Sequence, residues 1–181
     1  MALTKKEWRA FLRQQLQNES NDQKDLKQKS LDRHLVEFLK SQSGVWAAYK
    51  ALPSEANPAR ACELSSHIRW VYPRIEGENL AFFLGDEFVQ NSLGIWEPGP
   101  RATQVQQESL SGILVPGLGF SDRGQRLGRG KGFYDRVLVG TQALKVGVCF
   151  SSQLVKENLP VDEHDIPMDV VIVDHQVYDF R

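Results

Sequence analysis

Apolar side chains in the first part of the chain recur at the spacing of one helix face. In the segment 4–17 these residues are Trp8, Phe11, Leu12 and Leu16. Thr4, followed three residues later by Glu7, forms a capping-box pattern that places the start of this helix. The polar stretch 18–25 is predicted to be a connector. A second helix is predicted after it, with one apolar face made by Leu31, Leu35, Phe38 and Leu39.

Beyond residue 42 the pattern changes to short apolar runs bounded by Gly, Pro or Asp, which is typical of buried strands. The runs are Val45–Tyr49, Ile68–Tyr72, Leu80–Leu84, Ile113–Val115, Val146–Phe150 and Val170–Val173. Helices are predicted between some of them, at Pro58–His67 and Phe133–Val139. This alternation predicts an α/β fold, a three-layer α/β/α sandwich with a mostly parallel sheet. We expect one domain over 1–181, with a helical arm at about 4–42 packing on the core and a long, functional loop at 85–110.

Charge and composition exclude several classes of protein. The chain has 181 residues with 22 Lys+Arg against 23 Asp+Glu, so it does not coat nucleic acid by bulk charge. No apolar run approaches the length of a membrane span, and the charged N-terminus does not resemble a secretory signal. Cys62 and Cys149 show no metal-ligand spacing, which favours a cytoplasmic enzyme with two inert, buried thiols.

The segment Val115–Arg136 has the most unusual composition. It contains six glycines and five basic residues, which are Arg123, Arg126, Arg129, Lys131 and Arg136. Glycine allows backbone N–H groups to approach an anion closely, a following helix start adds donors, and Arg and Lys supply full charges. The pattern therefore favours phosphate binding, although it is neither a P-loop nor a dinucleotide fingerprint. A solvated basic loop with turn glycines is the alternative.

The first helix and two acidic residues extend this hypothesis. Lys5 and Arg9 lie four residues apart near the helix start, where positive charge opposes the helix dipole, so an external anion is one explanation. Asp135 follows the basic run and Asp169 begins the last strand; both are candidate Mg²⁺ ligands, and both have ordinary turn or capping roles as the alternative. His164 and Asp165 are read as turn residues.

In sequence, LVPGLGFSDRGQRLGRGKGFYDRVL resembles the signature of the 5-formyltetrahydrofolate cyclo-ligase family. Further family motifs occur in order along nearly the whole chain: Lys5 and Arg9, the loop Tyr49–Glu55, the element Trp96-Glu97-Pro98, and the closing motif from Leu159 to Asp169. Two positions depart from the family pattern. Phe133 stands where many members have Tyr, and Ala56-Asn57-Pro58 follow Glu55 in place of Val-Asp-Thr.

The resemblance implies ATP- and Mg²⁺-dependent conversion of 5-formyltetrahydrofolate to 5,10-methenyltetrahydrofolate, on a fold like that of the sugar-phosphate isomerase and CoA-transferase group. The implied ATP contacts are Lys5, Arg9, Arg126, Gly128, Arg129, Gly130, Lys131, Gly132, Phe133, Tyr134 and Asp135. The implied folate contacts are Lys50, Glu55, Trp96 and Tyr134. Asp135 and Asp169 would hold Mg²⁺, and Arg129, Lys131 and Tyr134 would act in catalysis.

The residue chemistry is compatible with that reaction, because phosphoryl transfer needs positioning and charge neutralisation rather than a covalent nucleophile. Trp96 and Phe82 are candidates for an apolar slot around the pterin. Two other functions stay open: a sugar-phosphate isomerase that needs no ATP, and an RNA-binding module built on the Gly-Arg-Gly-Lys-Gly run. We expect a monomer that binds neither nucleic acid nor membrane.

Overall fold

The structure is a computed structural model that describes residues 3–181. Its helices are α1 (Lys5–Gln17), α2 (Asn21–Leu39), α3 (Ala59–Leu64) and α4 (Phe133–Leu138). The first seven strands are β1 (Val45–Ala47), β2 (Arg69–Glu76), β3 (Asn79–Leu84), β4 (Phe88–Gln90), β5 (Trp96–Pro98), β6 (Thr103–Val105) and β7 (Leu110–Val115). The others are β8 (Gly119–Ser121), β9 (Arg126–Leu127), β10 (Leu144–Cys149), β11 (Leu154–Val155), β12 (Val170–Val173) and β13 (Val177–Asp179).

A large sheet of eight strands forms the centre of the molecule, in the order β13-β12-β10-β7-β1-β2-β3-β6. The five inner strands from β12 to β2 are parallel, and antiparallel strands extend the sheet at both edges. The predicted α/β architecture with a mostly parallel sheet is therefore confirmed.

Apolar residues cover both faces of this sheet. In β12, Val170 and Ile172 join the core that contains the buried face of α2, whereas Val171 and Val173 join the opposite core, which contains residues of α4. Successive side chains of a strand point to opposite faces, so a continuous apolar run is what a strand between two layers requires. The layers predicted from the sequence are thus present around the sheet.

Helix α1 packs in a different place from α2. Its buried residues Trp8, Leu12 and Leu16 form a third core with residues of a small sheet, β11-β8-β9, and of the loop after it. The capping box at Thr4 and Glu7 is confirmed. Phe11, predicted on the apolar face, is 44% exposed. No helix within residues 3–181 is long and apolar enough to cross a membrane.

Two predictions about connecting segments are wrong. The stretch 18–25 is mostly helix, because Ser20 caps α2 through a capping box with Gln23 and the helix begins at Asn21. The stretch 85–110 is not one continuous loop, since it carries β4, β5 and β6 and a 3₁₀ turn at Gln107–Ser109. Its strands are short and largely exposed, so they lack the apolar runs by which the longer strands are recognised.

Candidate functional site

The glycine-rich segment begins at the end of β7, in the middle of the large sheet. Its first half folds as the antiparallel pair β8–β9, and only residues 128–132 form an open loop before α4. Gly130 and Gly132 have φ values of +100° and +71°, which lie in the left-handed region that favours glycine. Helix α4 has six residues, so its end contributes little dipole and the anion-binding capacity of this segment comes from charged side chains and loop amides.

Two cavities lie on either side of this segment. The apolar cavity is lined mainly by Tyr49, Lys50, Leu52, Glu55, Ile75, Leu80, Leu93, Ile95, Trp96, Arg129, Lys131, Phe133 and Tyr134. The basic cavity is lined mainly by Lys5, Arg9, Gly130, Arg136, Asp162, His164 and Asp165. Both are also lined by a shared wall consisting of Arg126, Gly128, Gly132 and Asp135. The sequence-predicted nucleotide and folate residues are therefore largely brought together around one loop.

Arg126 is the buried anchor of the shared wall. Its side chain is 5% exposed, and its guanidinium donates to the Pro116 carbonyl over 3.1 Å and to the Asp135 carboxylate. The guanidinium carbon also lies 5.7 Å from the centre of the Tyr134 ring. A buried arginine with these partners holds the end of β7 and the start of α4 together.

Helix α1 delivers Lys5 and Arg9 to the basic cavity. Arg9 Nε donates to the Gly128 carbonyl over 2.9 Å, and this hydrogen bond connects α1 to the loop 128–132. Lys5 Nζ donates to Asp162 over 2.7 Å and to Asp165. Burial lowers the pKa of Lys5, but these two bonds outweigh it and the pKa is raised. The positive charge of Lys5 near the helix start is thus compensated inside the protein, because the loop before β12 supplies two carboxylates.

Arg129 crosses from the glycine loop to the loop that follows β1. Its Nε donates to Glu55 Oε1 over 2.8 Å and its Nη2 to Ser54 Oγ over 2.7 Å. The other oxygen of Glu55 accepts the Leu52 amide over 2.9 Å, so a short loop fixes this carboxylate. The Glu55 side chain is 8% exposed. Sequence spacing gives no sign of this contact, since the partners are 74 residues apart.

Lys131 and Tyr134 line the apolar cavity next to the shared wall. Lys131 is exposed, and within residues 3–181 its amine forms no ion pair, unlike Arg126 and Arg129 beside it. Burial raises the pKa of the Tyr134 phenol, and the nearby Glu55 carboxylate raises it further. The phenol is therefore protonated at neutral pH and can donate a hydrogen bond.

Lys50 lies on the opposite side of the apolar cavity, against aromatic rings. Its Nζ is 4.0 Å from the centre of the Phe88 ring and 4.8 Å from that of Tyr72. These rings attract the ammonium through their negative faces, and within residues 3–181 Lys50 forms no ion pair. Burial raises the pKa of Tyr72 to about 12, so this ring stays neutral.

A hairpin made by β4 and β5 forms the outer wall of the apolar cavity. Trp96 is 51% exposed there, and Leu93 at the tip is 53% exposed. Glu97 attaches the hairpin to the sheet, because its Oε2 accepts the Ile75 amide over 3.2 Å and the Asn91 side chain over 3.0 Å. Phe82, the other predicted slot residue, is buried in the core and lines neither cavity.

The two predicted metal ligands lie in different surroundings. Asp135 is partly exposed in the shared wall, whereas Asp169 accepts the Lys145 amide and ammonium, each over 2.8 Å, and lines neither cavity. Within residues 3–181 no three acidic, His or Cys side chains form a cluster suited to a metal ion. Asp135 alone fits the binding mode in which Mg²⁺ takes one or two carboxylates together with substrate phosphates.

Sequence reasoning missed several residues of the site. The sequence does not predict Ser54, Leu93 or Ile95 as site residues, and it predicts Asp165 only as a turn residue. The turn is confirmed by the hydrogen bond from the Asp165 amide to the Asp162 carbonyl, but the carboxylate also binds Lys5. The alternating apolar positions near Ile95 and Trp96 were the one signal available for the hairpin. The predicted thiols are confirmed as buried: burial raises the pKa of Cys62 to about 12 and raises that of Cys149 as well.

Known proteins resemble this chain in both sequence and fold. A 5-formyltetrahydrofolate cyclo-ligase of Escherichia coli K12 is 42% identical over 98 residues, which are 52% of this chain and 53% of that protein. A mouse protein of the same name is 39% identical over 92 residues, covering 46% of this chain and 45% of its own length. The aligned part of the chain spans about half the length of these curated relatives.

Two solved structures share the fold over nearly the whole chain. One is a 5,10-methenyltetrahydrofolate synthetase from Aquifex aeolicus, with a TM-score of 0.81 and 29% identity, covering 99% of this chain and 94% of its own. The other, a synthetase of that name from Mycoplasma pneumoniae, has a TM-score of 0.76 and 23% identity, covering 94% and 98%, and is a likeness of fold. The sequence model of the 5-formyltetrahydrofolate cyclo-ligase family matches residues 2–174. The chain therefore belongs to the 5-formyltetrahydrofolate cyclo-ligase family.

Proposed function

We propose that this protein uses ATP and Mg²⁺ to convert 5-formyltetrahydrofolate into 5,10-methenyltetrahydrofolate, with release of ADP and phosphate. The observation that carries the proposal is that one glycine-rich wall separates a basic cavity from an apolar cavity. A phosphoryl donor and a largely apolar acceptor could then meet at the same loop. An enzyme that transfers phosphate between these two ligands needs such an arrangement, because the reacting atoms must be held close and in line.

In this proposal the nucleotide phosphates occupy the basic cavity. Arg9 and Lys5 approach from α1, and Gly128, Gly130 and Gly132 of the loop 128–132 line the same space. Lys131 is exposed and forms no ion pair within residues 3–181. Its amine can therefore turn toward the transferring phosphoryl group without breaking an ion pair, unlike Arg126 and Arg129. Arg126 and Arg129 serve the same phosphates, but each must be shared with or released from an acidic partner.

Asp135 would hold Mg²⁺ together with the phosphates. Phe133, at the start of α4, lines the apolar cavity, so its contact with the nucleotide stays a prediction from the family resemblance. Magnesium bound at Asp135 would supply positive charge between phosphate oxygens, which lowers the cost of bringing anionic groups together. Asp169 lines neither cavity, so its role as a ligand stays a prediction from its position at the start of the last strand and from the family resemblance.

The folate is proposed to occupy the apolar cavity. The walls of Ile75, Leu80 and Trp96 offer an apolar surface for a pterin, and Glu55 offers a carboxylate for its N–H donors. Tyr134, neutral at physiological pH, is able to donate to the formyl oxygen or to a phosphate oxygen. Lys50 faces the same cavity and would contact the acidic part of the substrate.

The chemistry follows from the weakness of a formamide as an electrophile. Transfer of the γ-phosphoryl group to the formyl oxygen breaks the bond to the ADP oxygen and turns the formyl oxygen into a leaving group. Attack of folate N10 on the activated carbon then closes the ring, and loss of the N10 proton and of phosphate gives the methenyl product. The chain's own contribution is orientation, exclusion of water and neutralisation of the phosphoryl charge.

The test is an assay of the purified full chain with 5-formyltetrahydrofolate, ATP and Mg²⁺, followed by the absorbance of the methenyl product and by release of ADP. We expect product only when ATP is present, in a one-to-one ratio with ADP. Turnover of a sugar phosphate without ATP would instead support an isomerase, and salt-sensitive RNA retention without turnover would support the RNA-binding alternative. Lys40→Ala, a change to an exposed lysine at the end of α2, is the control variant and should retain activity.

We further propose a monomer in the cytoplasm that binds no nucleic acid. The two buried free thiols support the cytoplasmic location, and the nearly balanced charge offers no general affinity for nucleic acid. The likeness to the sugar-phosphate isomerase and CoA-transferase group rests on the family resemblance. Gel filtration with light scattering would test the oligomeric state directly.

A further inference from the structure

One ion pair joins the loop 128–132 to the loop 52–55, which lines the apolar cavity. Arg129 donates from Nε to Glu55 over 2.8 Å and from Nη2 to Ser54 over 2.7 Å. Two parallel contacts from one guanidinium fix its plane, so Arg129 is held toward the loop 52–55. Both side chains line the apolar cavity, but Arg129 lies between Gly128 and Gly130, which line the basic cavity, so the contact links the proposed folate site to the loop beside the proposed phosphate site.

Each member of this pair is also a proposed contact for a ligand. Under the proposed function Arg129 serves the phosphates and Glu55 serves the pterin, yet in the structure they satisfy each other. Glu55 is nearly buried, and its second oxygen is already engaged by the Leu52 amide. A buried carboxylate that loses its cation must gain other donors, and the donors of a pterin ring would supply them.

We propose that the Arg129–Glu55 pair couples the two sites, so that ATP and 5-formyltetrahydrofolate each strengthen binding of the other. Phosphates draw Arg129 away from Glu55, and the freed carboxylate then favours a folate bound beside it. Folate bound to Glu55 in turn releases Arg129 for the phosphates, as thermodynamic reciprocity requires. Ser54 is a positioning residue in this exchange, because it holds Arg129 in the unliganded arrangement. The inference rests on the proposed function.

The experiment measures the Kd of 5-formyltetrahydrofolate for the full chain by calorimetry, with and without Mg²⁺ and a non-hydrolysable ATP analogue. For the unaltered protein we expect the analogue to tighten folate binding at least about fivefold, the lower end of typical coupling between sites. Arg129→Gln should remove this effect and tighten folate binding without nucleotide, because it frees the Glu55 carboxylate. Arg101→Ala, which changes an exposed arginine paired with Glu87 and away from both cavities, is the control and should keep the full effect.

Ser54→Ala gives an independent test that leaves the charges in place. It weakens the hold on Arg129, so folate should bind more tightly without nucleotide and the enhancement by the analogue should shrink at least about twofold. A purely structural role for Ser54 would instead weaken both ligands and leave the enhancement unchanged, which would overturn the proposed exchange. Thermal melting of each variant confirms that it is folded.

The outcomes separate the inference from the function on which it rests. If both ligands bind the unaltered chain but independently, the coupling is overturned while the proposed function stands. If Arg129→Gln binds both ligands and retains the full enhancement, the pair is not the link. If 5-formyltetrahydrofolate does not bind with or without the analogue, the proposed function fails and the coupling fails with it.

Discussion

The two cavities beside the loop 128–132 differ in how their charged groups are stabilised. In the basic cavity Lys5 is held by Asp162 and Asp165, carboxylates from a distant loop. In the apolar cavity Lys50 is held by the faces of Phe88 and Tyr72 instead. Under the proposed function, phosphates in the basic cavity would replace these internal anions, whereas Lys50 has no ion-pair partner within residues 3–181 that a substrate must displace.

This comparison shows that an anion-binding site cannot be identified simply by searching for cations without an ion-pair partner. Nearly buried cations such as Arg126 need a partner before the ligand arrives, since an uncompensated charge away from water is unfavourable. The exposed Lys131 has no such requirement. Substitutions are therefore expected to have the largest effect in the shared wall, a smaller effect in one cavity and the smallest effect at the periphery.

Arg126→Ala should have the largest effect, because it removes the anchor of both cavities. Asp135 would lose its cation and the Pro116 carbonyl its donor, and we expect the free energy of unfolding to fall by about 3 kcal/mol, the lower end for a broken buried pair. Urea denaturation measures this. Arg123→Ala, an exposed arginine in the adjacent turn, should change stability by no more than about 0.5 kcal/mol. Equal effects of the two variants would contradict the anchoring role.

Lys131→Ala should act on turnover rather than on the fold. Removing an amine that neutralises charge only during phosphoryl transfer should lower kcat about 100-fold, while folate affinity stays within about twofold. Steady-state kinetics and folate titration measure the two effects. Unchanged turnover would show that Lys131 does not assist the transfer.

Trp96→Ala should distinguish the two cavities, because it should affect folate binding and not nucleotide binding. Loss of a half-exposed indole from the apolar wall should weaken folate binding about tenfold, and nucleotide affinity should remain as it was. Val89→Ala on the same hairpin, outside both cavities, is the matched control. A parallel loss of nucleotide affinity would mean that the hairpin supports both sites.

The smallest effect is expected from pH, at the contact between Lys5 and Asp165. Burial raises the pKa of Asp165, but hydrogen bonds from Lys5 and from the Asp162 amide outweigh it, so the pKa is lowered. The stabilisation is then present above the unfolded pKa of about 3.9 and is lost as pH falls through the folded pKa. Lys5→Met should lower the free energy of unfolding at pH 7 by about 1 kcal/mol or less. Urea denaturation from pH 7 to pH 3 should show this difference shrinking below about pH 4, and a constant difference would contradict it.

Long or strongly patterned elements were predictable, because each buried position in them carries an apolar residue that is visible in the sequence. The apolar run Val170–Val173 matches β12 residue for residue, and the capping box at Thr4 marks the start of α1. The small sheet β11-β8-β9 was not predicted, because its strands have two or three residues and its glycines read as loop. The prediction of a connector at 18–25 was wrong because polar residues suit the exposed first turns of α2 as well as they suit a loop.

The sequence by itself determined the class of fold, the family and the segment 128–135 on which the proposed chemistry rests, since glycine spacing and charge are local properties of the chain. Only the tertiary structure decided which groups meet. It paired Arg129 with Glu55 and Lys5 with Asp165, and it separated Asp169 from the cavities that Asp135 lines. Contacts between residues so distant along the chain depend on strand order and loop path, which local pattern does not encode.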